Sequence, residues 1–311
     1  MELSVVTTMY HSARNLQEFY DRISSVAGKI TDDYEIVFVN DGSPDDSLEV
    51  ALSLYEKDDK VRVVDLSRNF GHHKAIMTGL AHTRGEKVFV IDSDLEEDPE
   101  LLEIYYNKFM EESDCDVVYG VQRSRRGGIF ERISGNLFYF IFNTFSDDKM
   151  PSNMAITRLM SKRYVKSLLM YQEKVVFLAG IWCSTGYKQV PVFIDKHSKG
   201  TTSYTFRKRL ALFINAITSF SDRPLRLIFY TGFIISMLSA VSIVYLIAAK
   251  IFFSVVITGW TSLSVTIWFL GGLMMFFMGI IGIYLSKIFI ETKNRPYTIV
   301  KEVYEKNLKA H

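Results

Sequence analysis

The segment Tyr34-Glu35-Ile36-Val37-Phe38-Val39-Asn40-Asp41-Gly42-Ser43-Pro44 reads as a buried strand running into a tight turn. Tyr34–Asn40 is rich in β-branched and aromatic side chains, which suit a pleated, covered surface. Asp41-Gly42-Ser43-Pro44 is turn chemistry, and a helix is expected from about Ser47. The same alternation extends in both directions. Leu3–Met9 is an apolar strand pattern and Leu16–Val26 has helical spacing. Val61–Asp65, Ala75–His82, Lys87–Asp92 and Leu101–Met110 continue the series, and Val117–Val121 adds a strand. Alternating strands and helices imply an α/β, Rossmann-like, mostly parallel sheet with helices on both faces. Ligands bind such sheets at the carboxyl ends of the strands. Asp41 closes the second strand there and Asp92-Ser93-Asp94 closes the fourth. No G-x-G-x-x-G follows the first strand and no G-x-x-x-x-G-K-[ST] occurs, which disfavours a nicotinamide enzyme and a P-loop ATPase.

The 311 residues carry a net charge of +1, so no strong field points to nucleic acid. A hydrophobic share of 48% excludes a disordered chain, and two cysteines, Cys115 and Cys183, exclude a disulfide scaffold. The mean hydropathy of +0.10 suits a water-soluble part joined to a membrane part. Charges run through residues 1–226; Leu227–Ala249 has none, Lys250 interrupts, and Ile251–Ser286 is again uncharged. Each stretch exceeds the ~20 residues that a bilayer core requires. Leu227–Ala249 is the first expected span and Ser262–Ser286 the second, with Ile251–Thr261 as an interfacial or re-entrant connection. The segments before and after are basic, with Arg207, Lys208, Arg209, Arg223 and Arg226 on one side and Lys287, Lys293 and Arg295 on the other. Positive flanks stay in the cytoplasm. The expectation is therefore a multi-pass protein of the cytoplasmic (inner) membrane without a signal peptide, its termini and the whole of residues 1–226 cytoplasmic. Its parts are residues 1–200 as the α/β domain, 201–226 as a juxtamembrane amphipathic segment, 227–286 as two transmembrane helices and 287–311 as a basic tail.

Asp92 and Asp94 lie two apart at a strand end, with Glu96 two further on. In an extended chain alternate side chains point the same way, so three carboxylates can converge. Hard divalent cations take such oxygen ligands, and Mg²⁺ typically uses one or two carboxylates plus substrate phosphates. The other reading is a solvated acidic loop before a helix at Pro99, capped by Asp98.

Taken together, Ser4–Tyr10, Val39-Asn40-Asp41-Gly42-Ser43, Leu66-Ser67-Arg68-Asn69-Phe70-Gly71, Ile91-Asp92-Ser93-Asp94-Leu95 and Pro99-Glu100 resemble a family 2 glycosyltransferase of the GT-A fold. More narrowly the chain is similar to the polyprenyl-phosphate glycosyltransferases, including dolichyl-phosphate mannose synthase and bacterial undecaprenyl-phosphate sugar transferases. Tyr119-Gly120-Val121, Ile217–Ser221 and Arg223-Pro224-Leu225-Arg226 agree. The resemblance implies that Asp41 contacts the nucleotide base, Thr8 and Tyr10 line base and ribose, and Arg68 lies in the phosphate-side motif. It makes Asp92 and Asp94 the catalytic carboxylates through a metal, Mg²⁺ or Mn²⁺, with Glu96 as a further ligand and Asp92 also at the nucleotide. Arg68 could instead pair with a surface carboxylate.

Arg123, Arg125, Arg126 and Arg132 surround Gly127-Gly128 and lead into the aromatic-rich Leu137–Phe145. Arginine grips phosphate through a bidentate fork. Arg123, Arg132 and Ser134 are therefore candidates for the acceptor lipid phosphate; attraction of anionic headgroups is a compatible alternative. Phe206–Phe220 is expected to form an amphipathic helix.

Three motifs depart from the family. Thr8-Met9-Tyr10-His11-Ser12 stands where relatives read Pro-x-Tyr-Asn-Glu, Gln122 replaces an arginine, and Ala155-Ile156-Thr157-Arg158-Leu159 lacks an aspartate. His197 and Ser203 partly replace a basic residue expected near Gly200. These changes fall on the sugar-facing pocket, so the sugar stays open. A lipid monophosphate is mostly a dianion near pH 7 and needs positioning rather than deprotonation, so no essential base is expected.

The reading is inverting transfer from a nucleotide-sugar, with uridine diphosphate as the expected carrier, to undecaprenyl phosphate at the cytoplasmic face. A flippase and a downstream transferase would then use the product for a cell-surface polysaccharide. The alternatives are an enzyme that extends a glycan or lipid diphosphate, and a non-catalytic membrane adaptor. His72 and His73 could touch a diphosphate but are assigned ordinary turn or helix-start roles, Trp182 and Cys183 core packing, and Gly271, Gly272, Gly279 and Gly282 close helix packing or lipid contact. Oligomeric state, including a homo-oligomer, is left open.

Overall fold

The computed structural model describes residues 1–123, 144, 151, 153–174, 176–195, 218, 221–253 and 259–306. The first six elements follow the alternation: β1 Leu3–Met9, α1 Ala13–Ile30, β2 Tyr34–Asn40, α2 Ser47–Lys57, β3 Val61–Leu66 and α3 His72–Ala81. They are followed by β4 Lys87–Val90, α4 Leu101–Glu111, β5 Val117–Gln122, β6 Met154–Ser161, α5 Lys162–Leu168, α6 Leu178–Ser184 and β7 Gln189–Ile194. Two long helices come next, α7 Arg223–Phe253 and α8 Trp260–Thr292, and then a last strand, β8 Val300–Tyr304.

The eight strands form one sheet in the order β7-β5-β6-β4-β1-β2-β3-β8. β1 runs parallel to β2 and β4, and β2 parallel to β3, so these carboxyl ends share one edge of the sheet. β6 is inserted antiparallel between β4 and β5. β1, β2 and β3 are buried at every position, as expected for strands covered on both faces. α1 lays Leu16, Phe19, Ile23, Val26 and Ala27 against that core. The i, i+3, i+4 spacing of these residues makes one apolar stripe, worth roughly 1.5–3 kcal/mol per fully buried large side chain. α3 packs closest. A Cβ on Gly79 would lie 2.5 Å from Val6 Cγ1 and 2.8 Å from Val39 Cγ2, so only a bare backbone lets this helix sit on β1 and β2.

The chain divides into two compact units. The first comprises Met1–Phe140, Asp148–Phe206 and Arg295–His311, and holds the sheet. The second comprises Ile141–Asp147 and Arg207–Asn294 and holds α7 and α8. Within it, large apolar side chains face outward: Phe229, Tyr245, Trp268 and Met275 are all more than half exposed. A helix apolar on every side needs an apolar surrounding. Among the described residues one helical stretch, Thr266–Thr292, is long and apolar enough to cross a membrane.

Three expectations change. β4 ends at Val90 rather than Asp92. α8 extends to Thr292, and residues 300–304 of the expected tail join the sheet as β8, antiparallel to β3. The segments 125–134 and Phe206–Phe220, apart from Thr218, lie outside the described residues, as do Arg132 and Ser134.

Candidate functional site

The ends of β1, β2 and β4 carry the residues singled out by sequence. Asp41 follows β2; its N–H donates to the Met9 carbonyl at 3.1 Å, which stitches the two strand ends together. Its carboxylate, 2% exposed, accepts the Phe70 N–H at 2.7 Å and the Gly71 N–H at 3.0 Å, one on each oxygen. Burial raises its pKa, while these two N–H groups oppose the rise. Asp41 therefore clamps the Ser67–Gly71 loop. Gly42 permits the approach: its φ is +59°, and a Cβ there would lie 2.4 Å from the Arg68 carbonyl carbon. Arg68 is exposed on that loop, its guanidinium 4.1 Å above the Phe70 ring and its Nη1 donating to the Asn69 carbonyl at 3.1 Å. Among the described residues it has no ion pair with a carboxylate.

Thr8 and Asp92 are joined through His72, the first residue of α3. Thr8 Oγ1 lies 3.0 Å from His72 Nδ1, and His72 Nε2 lies 3.3 Å from Asp92 Oδ1. Tyr10 is half exposed and meets His11 edge-on at 4.6 Å between ring centroids. A partly buried cluster holds this rim. The Asp45 carboxylate accepts the Ser43 and Ser47 hydroxyls and the Ala13 N–H. Burial works against the charge, but these donors outweigh it and hold the Asp45 pKa down at about 2.

The acidic segment is a turn, so the extended geometry expected to bring Asp92, Asp94 and Glu96 together does not form. The chain leaves the sheet after Val90, and Leu95 takes the left-handed φ of +58°. Asp94 Oδ1 accepts the Glu96 N–H at 2.9 Å, the local side-chain-to-backbone bond that favours turns over strand. The Ser93 hydroxyl, 2% exposed, sits 2.9 Å from the Thr8 carbonyl and 3.0 Å from Ser12 Oγ, which pins the turn to β1. Among the described residues no group of three His, Cys, Asp or Glu side chains is arranged to hold a metal ion. Asp92 and Asp94 still supply hard oxygen donors, the partial set that Mg²⁺ or Mn²⁺ takes when substrate phosphates and waters complete the shell. Arg123 follows β5 and is exposed; its N–H donates to the Ile194 carbonyl at 3.2 Å.

The profile of glycosyl transferase family 2 matches residues 4–169. The chain belongs to that family. A Mycobacterium tuberculosis protein named among the glycosyltransferases is 49% identical over 308 residues, covering 99% of this chain and 90% of the relative. The prophage bactoprenol glucosyl transferase homolog of Escherichia coli is 31% identical over 305 residues, covering 97% of this chain and 99% of the relative. In fold, the first unit's family 2 sheet is similar to Mycobacterium tuberculosis glucosyl-3-phosphoglycerate synthase, solved with Mn²⁺, UDP and phosphoglyceric acid. The TM-score is 0.50 at 17% identity, over 70% of this chain and 78% of that one.

Within this family 2 chain the sequence reading located Thr8, Tyr10, Asp41, Arg68, Asp92 and Asp94 at the strand ends, and gave His72 a turn or helix-start role without its link to Thr8 and Asp92. The signal was a histidine opening a helix just after the Arg68–Gly71 turn, at the end of the sheet where the acidic residues gather. His73 has a different place: its Nδ1 lies 3.2 Å from the Val176 carbonyl, and burial lowers its pKa. Trp182 is buried beneath the Arg158 guanidinium, in keeping with a packing role.

Proposed function

We propose that this family 2 glycosyltransferase moves a sugar from a nucleotide-sugar, with uridine diphosphate as the favoured carrier, to a polyprenyl monophosphate at a membrane surface. The observation that carries this reading is the meeting of Asp41, the Arg68 loop, the Thr8–His72–Asp92 chain and Asp94 at one edge of the sheet. The bactoprenol relative supports a prenyl acceptor, and the two long apolar helices support a membrane setting. We read α7 and α8 as a two-helix membrane hairpin with the α/β unit cytoplasmic, and residues 206–220 as an amphipathic juxtamembrane helix.

Thr8 and Tyr10 would flank the base and ribose, while Asp41 fixes the loop that presents Arg68 to the diphosphate. Asp92 and Asp94 would hold a divalent cation, which when bound would supply charge neutralisation at the leaving diphosphate. Arg123, Arg132 and Ser134 would hold the acceptor phosphate. A phosphate oxygen attacks the anomeric carbon from the face opposite the leaving group. The new carbon–oxygen bond forms as the sugar–diphosphate bond breaks, and its electron pair leaves with the nucleoside diphosphate. The configuration inverts. The acceptor dianion has no proton to lose, so positioning and charge screening suffice without a general base.

The test is detergent-solubilised protein with undecaprenyl phosphate, Mg²⁺ or Mn²⁺ and a panel of nucleotide-sugars, read by mass spectrometry beside Asp94→Ala. A lipid-phosphate sugar made only by the unmodified protein is expected. Nucleotide binding without product would point to a glycan or lipid-diphosphate acceptor. Neither binding nor product would point to a non-catalytic adaptor.

A further inference from the structure

We propose that Lys301, on the strand that follows the second long helix, is a positioning residue for the Asp41-Gly42-Ser43 turn; this rests on the reading of that turn as the donor side. β8 caps the sheet edge next to β3, with Asp65 opposite Glu302 and a register shift between Asp65 and Leu66. Across that edge the Lys301 ammonium lies 3.2 Å from Asp65 Oδ2. Asp65 is 2% exposed, and among the described residues its Oδ2 accepts no hydrogen bond, so the ammonium is what answers that buried oxygen. Lys301 itself is largely exposed.

From Asp65 the connection runs inward. Asp65 Oδ1 accepts from Asn40 Nδ2 at 2.8 Å, and Asn40 Oδ1 accepts the Ser43 N–H at 3.1 Å. Ser43 Oγ in turn accepts the His11 N–H at 2.8 Å, beside Tyr10. The neighbouring residues of the same segment brace the second loop of the site. The Ile299 carbonyl accepts the Ser67 N–H at 3.0 Å, and Thr298 Oγ1 lies 2.8 Å from Thr78 Oγ1 on α3. Thus 298–301 reaches the Ser43 turn, the start of the Arg68 loop and the helix that begins with His72.

The physics is that of a buried carboxylate. The Lys301 ammonium holds the Asp65 carboxylate in the orientation that offers Oδ1 to the Asn40 amide. Without it, the buried Oδ2 has no partner among the described residues, and the carboxylate can turn or admit water. Asn40 then loses a fixed acceptor, and its carbonyl no longer holds the Ser43 N–H in one place. The effect belongs to the loop, because the Lys301 side chain is exposed and lies outside the buried core.

The experiment compares full-length Lys301→Met and Lys301→Arg with the unmodified protein in detergent. Three quantities are read: hydrogen exchange at Gly42 and Ser43, binding of uridine and guanosine diphosphates by calorimetry, and thermal melting. Lys301→Met is expected to speed exchange at these two amides and to weaken nucleotide binding by about tenfold, the scale set by small misplacement of a binding group. Melting should barely move, and Lys301→Arg should restore both effects. A Met variant that matches the unmodified protein in exchange and binding overturns the proposal. So does a Met variant that melts early with exchange raised across the whole sheet, because that is a general structural loss. Unmodified protein that binds neither nucleotide overturns the donor reading and this proposal with it; binding unaffected by the Met substitution overturns this proposal alone.

Discussion

At the scale of single residues, Asp41 has two oxygens facing two backbone donors. Asp41→Asn keeps the shape but turns one acceptor into a donor, so one of the Phe70 and Gly71 N–H groups loses its partner. The expected cost is about 1–3 kcal/mol of stability, seen in chemical denaturation, with weaker nucleotide binding. His72 acts on Asp92 and Thr8 at once. His72→Ala is expected to raise the apparent Mn²⁺ requirement of the reaction severalfold while leaving circular dichroism unchanged; an unaltered Mn²⁺ titration would show that the contact is incidental. His73 gives a pH dependence of known sign. Its folded pKa is lowered, chiefly by burial, from an unfolded value near 6.5, so the unfolded chain binds more protons. That stabilising difference is fully present above about pH 6.5 and fades as the pH falls through it. Melting temperatures between pH 7.5 and 5.5 should drop more steeply for the unmodified protein than for His73→Asn.

Elements meet at two glycines, for different reasons. Gly79 lies in a helix of ordinary geometry, and its neighbours are the side chains of Val6 and Val39. Gly79→Ala overpacks that contact and should cost about 1–3 kcal/mol, as core insertions do. Gly42 has a left-handed φ and a backbone neighbour that cannot rotate away. Gly42→Ala should therefore push the Arg68 loop outward and abolish nucleotide binding even where the sheet still melts cooperatively. Most of the parallel sheet was legible at this scale. The continuous apolar runs Leu3–Met9 and Tyr34–Asn40 belong to strands buried on both faces, and Leu16, Phe19 and Ile23 repeat with the helical period. The acidic segment was not. Spacing two apart reads as one face only while the chain is extended, and the Asp94–Glu96 bond bends it.

For the whole molecule, the apolar exteriors of α7 and α8 predict a protein that stays in the pellet after alkaline carbonate extraction of membranes. Release into the supernatant would mean that these helices are covered by protein rather than lipid. Composition alone sets this expectation, because the uncharged stretches Leu227–Ala249 and Ile251–Ser286 have few environments open to them. The return of residues 300–304 to the sheet is a different kind of fact. Val300–Tyr304 is short and mixed in polarity, and nothing in its own pattern announces a strand. It becomes one because β3 offers an unpaired edge and because Asp65, Arg62 and Asp59 offer charges to Lys301, Glu305 and Lys306. Local periodicity and strand-end chemistry were thus determined by the sequence itself, since they depend on neighbours a few residues apart. The Thr8–His72–Asp92 chain and the Lys301–Asp65–Asn40 connection join residues from 20 to more than 200 positions apart. Only the packed sheet brings such partners within bonding distance, so only the tertiary structure could decide them.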